Sequence, residues 1–137
     1  MRTLLIVILF LLPTASLAQV RDSVFTNYED YNTYVDEKIM ARDFIPLIQT
    51  LGGRDEYTTE QLNSVNNQMR SLFLVDFENV ARFREEDLGG GMRQEGRVYW
   101  TGEQYVFFYA MLHQREGELV VINFNLNSSI SAIMEDF

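Results

Sequence analysis

The sequence predicts an α+β domain in which three N-terminal helices pack on a curved four-stranded antiparallel sheet, a meander. Three observations predict it. Between residues 27 and 73 apolar side chains recur at helical spacing behind cap-type residues, whereas from residue 77 the pattern becomes β-branched and aromatic runs broken by glycine turns. The chain has 137 residues, a size that suits one core rather than two.

The first helix follows residues 19–26, with Thr26 as its cap and Glu29 reaching back as the partner in a capping box. Tyr28, Tyr31, Val35 and Ile39 then fall on one face. "ARDFIPLIQTLGG" gives a short second helix, with Asp43 as cap, Pro46 in the first turn where its missing N–H does no harm, and Gly52 as the stop. The third helix has the clearest signature. Thr58 and Gln61 form a capping box ahead of Leu62, Val65, Met69, Leu72 and Phe73.

Strands are expected near 77–86, 91–100, 103–114 and 118–127, joined by Gly89-Gly90-Gly91, by Thr101-Gly102 and by Glu116-Gly117. "SSISAIMEDF" reads as a closing helical turn begun by Ser128 or Ser129. With tight hairpins fixing the register, one face carries Gln94, Val98, Trp100, Tyr105, Phe107, Tyr109, Met111, His113, Phe124 and Leu126. That face is expected to lie under the helices. The other carries Arg93, Glu95, Arg97, Tyr99, Val106, Phe108, Ala110, Leu112, Leu119 and Val121 and is expected to point outward.

The N-terminus bounds where the protein goes. "MRTLLIVILFLLPTASLAQV" has a positive start at Arg2, an apolar run from Leu4 to Leu12 that Pro13 ends, and small residues before Gln19. This is the pattern of a secretory signal peptide, residues 1–18, cleaved after Ala18 to leave one domain over 19–137. The run is too short for a membrane anchor, which needs about 20 apolar residues, and the mature chain contains no span. With no cysteine there is neither a lipid-anchor site nor a disulfide framework, and a small secreted domain held by packing alone fits a bacterial periplasm.

The net charge of −9, with basic residues scattered singly, disfavours nucleic acid and anionic lipid surfaces as partners. One histidine, no cysteine and no aspartate-rich loop give no metal-binding pattern, and no cofactor motif is present. Gly89-Gly90-Gly91 precedes a strand, so it offers no helix N-terminus to a phosphate.

Helices first, "ARDFIPLIQTL", a "TTEQL" helix start and a meander ending in "GELVVINFNLNS" together resemble the nuclear transport factor 2-like, or cystatin-like, cone fold over most of residues 27–127. The resemblance implies helices and a curved sheet enclosing a cone, whose open end takes a small hydrophobic ligand. In isomerases and dehydratases of that superfamily it also implies catalytic Asp, His or Tyr side chains. No motif of those enzymes is matched, so no catalytic residue carries over.

From the residues themselves, Gln94, Trp100, Tyr105, Tyr109 and His113 are the candidate ligand-binding set, since buried polar tips among aromatic rings need partners. A plain aromatic core leaves the same pattern. Val106, Phe108, Leu112, Leu119 and Val121 form an apolar patch with a polar rim, a candidate homodimer interface on the outer sheet face unless residues 128–137 fold over it. The expected function is non-catalytic binding of a small apolar ligand or of a protein partner. One alternative is a small isomerase or dehydratase using His113 with Tyr105 or Tyr109, set against the lack of any carboxylate but Glu103, at a hairpin tip, on the expected inner sheet face, with Asp36, Glu37 and Asp43 as helix-borne carboxylates able to reach inward. Another is a structural or assembly role in the cell envelope.

Overall fold

A computed structural model describes residues 21–52 and 55–137. The leader expected over residues 1–18 lies outside the described residues. The elements run β1 (Val24–Phe25), α1 (Tyr28–Met40), α2 (Phe44–Gly52), α3 (Thr59–Leu72), β2 (Asn79–Gly89), β3 (Met92–Thr101), β4 (Gln104–Arg115), β5 (Glu118–Asn127) and α4 (Ile130–Met134). The sheet is antiparallel and five-stranded, in the order β1-β5-β4-β3-β2. The extra strand is β1, two residues that pair with Leu119 and Val120.

Local chemistry explains the helix ends. α1 is capped by Asn27, whose side chain accepts from Asp30 N at 2.8 Å, so the cap falls one residue beyond the expected Thr26, on the better capping side chain. The capping box at Thr58 and Gln61 forms as expected. Asp43 immediately precedes α2, and its carboxylate accepts from Lys38 Nζ at 3.1 Å. Arg42 takes the left-handed conformation at φ 54° in the corner between α1 and α2, where its guanidinium donates to Asp76 and to Phe73 O.

The meander matches the expected strands closely, and the β4–β5 turn falls at Glu116-Gly117. Thr101 pairs with Gln104, which puts the β3–β4 turn one residue later than expected, at Gly102-Glu103.

The faces of β3, β4 and the first half of β5 are the reverse of the expected ones, whereas Phe124 and Leu126 turn toward the helices as expected. Tyr99, Val106, Phe108, Ala110, Leu112, Leu119 and Val121 form the core with Tyr31, Val35, Ile39, Phe44, Leu47 and Leu51 from the helices. The proposed interface residues Val106, Phe108, Leu112, Leu119 and Val121 are therefore interior, each at most 4% exposed. The misleading signal was the charged pair Glu95 and Arg97 on that face. They neutralise each other beneath α1, so charge there does not mean exposure.

A bulge completes the core. Met111 pairs with Asn123 but Leu112 pairs with Val121, leaving Ile122 as an extra residue. The phase of β5 changes there. Leu119 and Val121 before the bulge, and Phe124 and Leu126 after it, all turn toward the helices, while Asn123, Asn125 and Asn127 turn outward. A uniform alternation would have placed one of those pairs in water.

The C-terminal segment folds back on the outer face, with Ser129 as the cap of α4 and Ile133 buried. Phe137 meets Tyr109 edge-on at 4.9 Å, and the Arg84 guanidinium lies 4.3 Å from the Phe137 ring centroid. Gly96 makes room for this contact: a Cβ there would stand 2.6 Å from Phe83 and 3.1 Å from Phe137.

Candidate functional site

Among the described residues, a closed centre and an open cleft on the helix side of the sheet combine polar chemistry with shelter from water. The first is a closed polar centre between α1 and β3. Arg97, 1% exposed, donates to Glu95 through Nε and Nη2 and to Asp36 through Nη1 at 2.8 Å. Glu95 is fully buried and also accepts from Tyr28 Oη at 2.7 Å and Tyr31 Oη at 2.9 Å. Tyr99 Oη donates to Asp36 at 2.7 Å.

Sequence reasoning placed Glu95 on the outside. The structure puts this carboxylate between helices and sheet, so the expected lack of a carboxylate on the inner sheet face, Glu103 apart, does not hold. The readable signal was opposite charges two residues apart on a strand face that also bears Tyr99, opposite a helix carrying Tyr28, Tyr31 and Asp36.

Electrostatics make this centre a lock rather than a reactive group. Burial, then the Glu95 charge, lifts the Tyr31 phenol well above its ordinary value, and burial and Asp36 do the same to Tyr99. Burial works against the Arg97 charge, but the Glu95 carboxylate beside it favours that charge, and its pKa is raised. The phenols therefore stay protonated as donors and the guanidinium stays charged. Among the described residues every buried side-chain polar atom has a partner.

The second place is an open cleft of about 470 Å³ between α2, α3 and the far half of β5. α2 is anchored to the sheet by Phe44, Leu47 and Leu51, which leaves Ile48 on the side facing α3. α3 is pinned by Leu62, and beyond its end Phe73 returns to the core against Phe77 at 5.3 Å. Between those anchors α3 stands away from the sheet: Val65 is 42% exposed, although its spacing predicted a packed stripe. The β5 bulge supplies the floor by turning Phe124 and Leu126 inward. Glu56, Tyr57 and Gln61 supply polar side chains to the walls.

The candidate ligand set lies elsewhere, on the outer face. Gln94 and Tyr109 are buried there by the C-terminal segment, with Tyr109 Oη donating to Gln94 Oε1 at 3.0 Å and Gln94 Nε2 donating to Glu86. Trp100 and Tyr105 form an uncovered aromatic row with Phe107, neighbouring ring centroids being 6.4 Å apart. His113 pairs across the sheet with Met92 and Val120. Tyr105, Tyr109 and His113 are successive fourth residues of one strand, so each step is about 13 Å and the three do not converge on one small molecule.

No family model matches this chain, and neither a curated protein nor a solved structure matches it. Among the described residues no helix is long and apolar enough to cross a membrane.

Proposed function

We propose that this chain is a secreted, periplasmic binding domain of the cone-fold type, and that the cleft between α2, α3 and β5 takes a small, largely apolar ligand without transforming it. One observation carries the reading: the apolar cleft is open, whereas the polar centre that a catalyst would need is closed and internally satisfied. A volume of about 470 Å³ falls within the range of small-molecule sites, and its lining combines an apolar floor with a few convergent polar groups. Helices followed by an antiparallel meander support the superfamily reading.

The neutral fluorophore N-phenyl-1-naphthylamine tests this. It gains fluorescence on binding the full-length chain, and Val65→Trp, which fills the cleft from an exposed helix position, removes the gain at unchanged melting temperature. Trp100→Ala, on the opposite sheet face, leaves it intact. Binding lost in Trp100→Ala and kept in Val65→Trp would move the site to the outer face.

A second reading is a homodimer through the outer face, using residues other than those first expected. It is favoured by the uncharged row Phe83, Trp100, Tyr105 and Phe107, because two chains of net charge −9 meet at least cost where neither presents charge. Sedimentation velocity of Tyr105→Asp beside the parent chain tests it, and identical masses would remove it.

A further inference from the structure

We infer that the ligand of this cleft carries a cationic head, an alkylammonium or similar organic cation, held at the mouth of the cleft by the Glu56 carboxylate beside the rings of Tyr57 and Phe124. The inference rests on the cleft reading above and adds the charge of the ligand. Three groups converge on one point at the mouth of the cleft. A Cβ built on Gly52 would stand 3.0 Å from Glu56 Oε2, 3.3 Å from Phe124 Cε1 and 3.5 Å from Tyr57 Cε2. That point is too crowded to hold a further group, and the same closeness brings a negative charge and two aromatic rings together beside Gly52.

This combination suits an organic cation. A carboxylate supplies the countercharge, and aromatic rings attract cations through their quadrupole, most strongly where water is partly excluded. Among the described residues that line the cleft, Glu56 is the one charged side chain, and no described cation pairs with it. An anionic head such as a fatty acid carboxylate would meet repulsion there. The apolar floor of Ile48, Leu62, Met69 and Leu126 receives the alkyl body, and the net charge of −9 raises the local concentration of cations around the whole molecule.

The test compares three probes of equal chain length on the full-length protein by calorimetry at physiological salt: n-octyltrimethylammonium, n-octanol and n-octanoate. The ammonium binds about tenfold more tightly than the alcohol, the scale of a partly desolvated cation–aromatic and ion-pair contact, and octanoate binds most weakly. Glu56→Gln abolishes that preference and keeps octanol binding. Glu103→Gln, which removes an exposed carboxylate from the far hairpin, leaves the preference unchanged and so excludes a general attraction to an acidic surface. Octanoate binding as tightly as the ammonium, or a preference that survives Glu56→Gln, would overturn the inference while leaving the cleft a binding site. Failure of all three probes would sink the cleft reading itself.

Discussion

Arg97 donates both Nε and Nη2 to a single carboxylate oxygen of Glu95, two residues back on the same face of β3, and neither side chain is more than 1% exposed. Such a pair stabilises the fold only while it remains complete, because each charge is the other's substitute for water. Arg97→Leu leaves Glu95 buried with only the Tyr28 and Tyr31 hydroxyls and the more distant Arg93 guanidinium, 3.9 Å away, and lowers unfolding free energy by about 3–5 kcal/mol. The double variant Glu95→Leu/Arg97→Leu loses less than the sum of its single variants, as urea titrations of all four proteins will show. Simple additivity would mean that the two charges act independently.

The tyrosines around this pair set an alkaline limit. A phenol whose folded pKa lies above its unfolded value of 10.0 holds its proton more tightly in the native state. Its stabilising contribution is complete below about pH 10 and is lost as pH rises toward the raised native pKa. Unfolding free energy therefore falls above pH 10, and Tyr31→Phe and Tyr99→Phe each flatten that fall. Parallel pH profiles for parent and variants would contradict this.

Two adjacent turn glycines differ in what they tolerate. Gly90 and Gly91 both have positive φ, 63° and 81°, which costs an L-residue about 1–2 kcal/mol. A Cβ on Gly90 meets nothing within 4 Å, whereas one on Gly91 would run into the backbone oxygen of Gln114. Gly91→Ala consequently destabilises by clearly more than Gly90→Ala, and thermal melts of the pair give the comparison. Equal costs would show that the β4 backbone yields freely.

The C-terminal segment depends on the bare backbone at Gly96. Gly96→Val drives Phe83 and Phe137 off the sheet, an overpacking cost of about 1–3 kcal/mol, and releases the segment that covers Tyr109. Limited proteolysis reads this as faster cleavage within residues 128–137, with the sheet still intact by far-ultraviolet circular dichroism. Unchanged cleavage would place the anchor of the segment at Ile133 rather than at Phe137.

The sequence by itself determined the order of the elements from α1 onward, the capping box of α3, the hairpin at Glu116-Gly117 and a final turn begun by Ser128 or Ser129. Each depends on residues a few positions apart, whose chemistry acts locally. It also determined which residues share a face within β3 and β4, since that follows from the two-residue period, whereas the bulge in β5 broke the alternation there. Only the tertiary structure decided which face is inside. Both faces of β3 and β4 are apolar enough to be buried, and the choice fell to Tyr28, Tyr31 and Asp36 on α1, which satisfy Glu95 and Arg97 across more than 60 residues of sequence. The bulge at Ile122 and the stand-off of α3 at Val65 were settled in the same way, by the fit of distant surfaces, and these two features form the cleft.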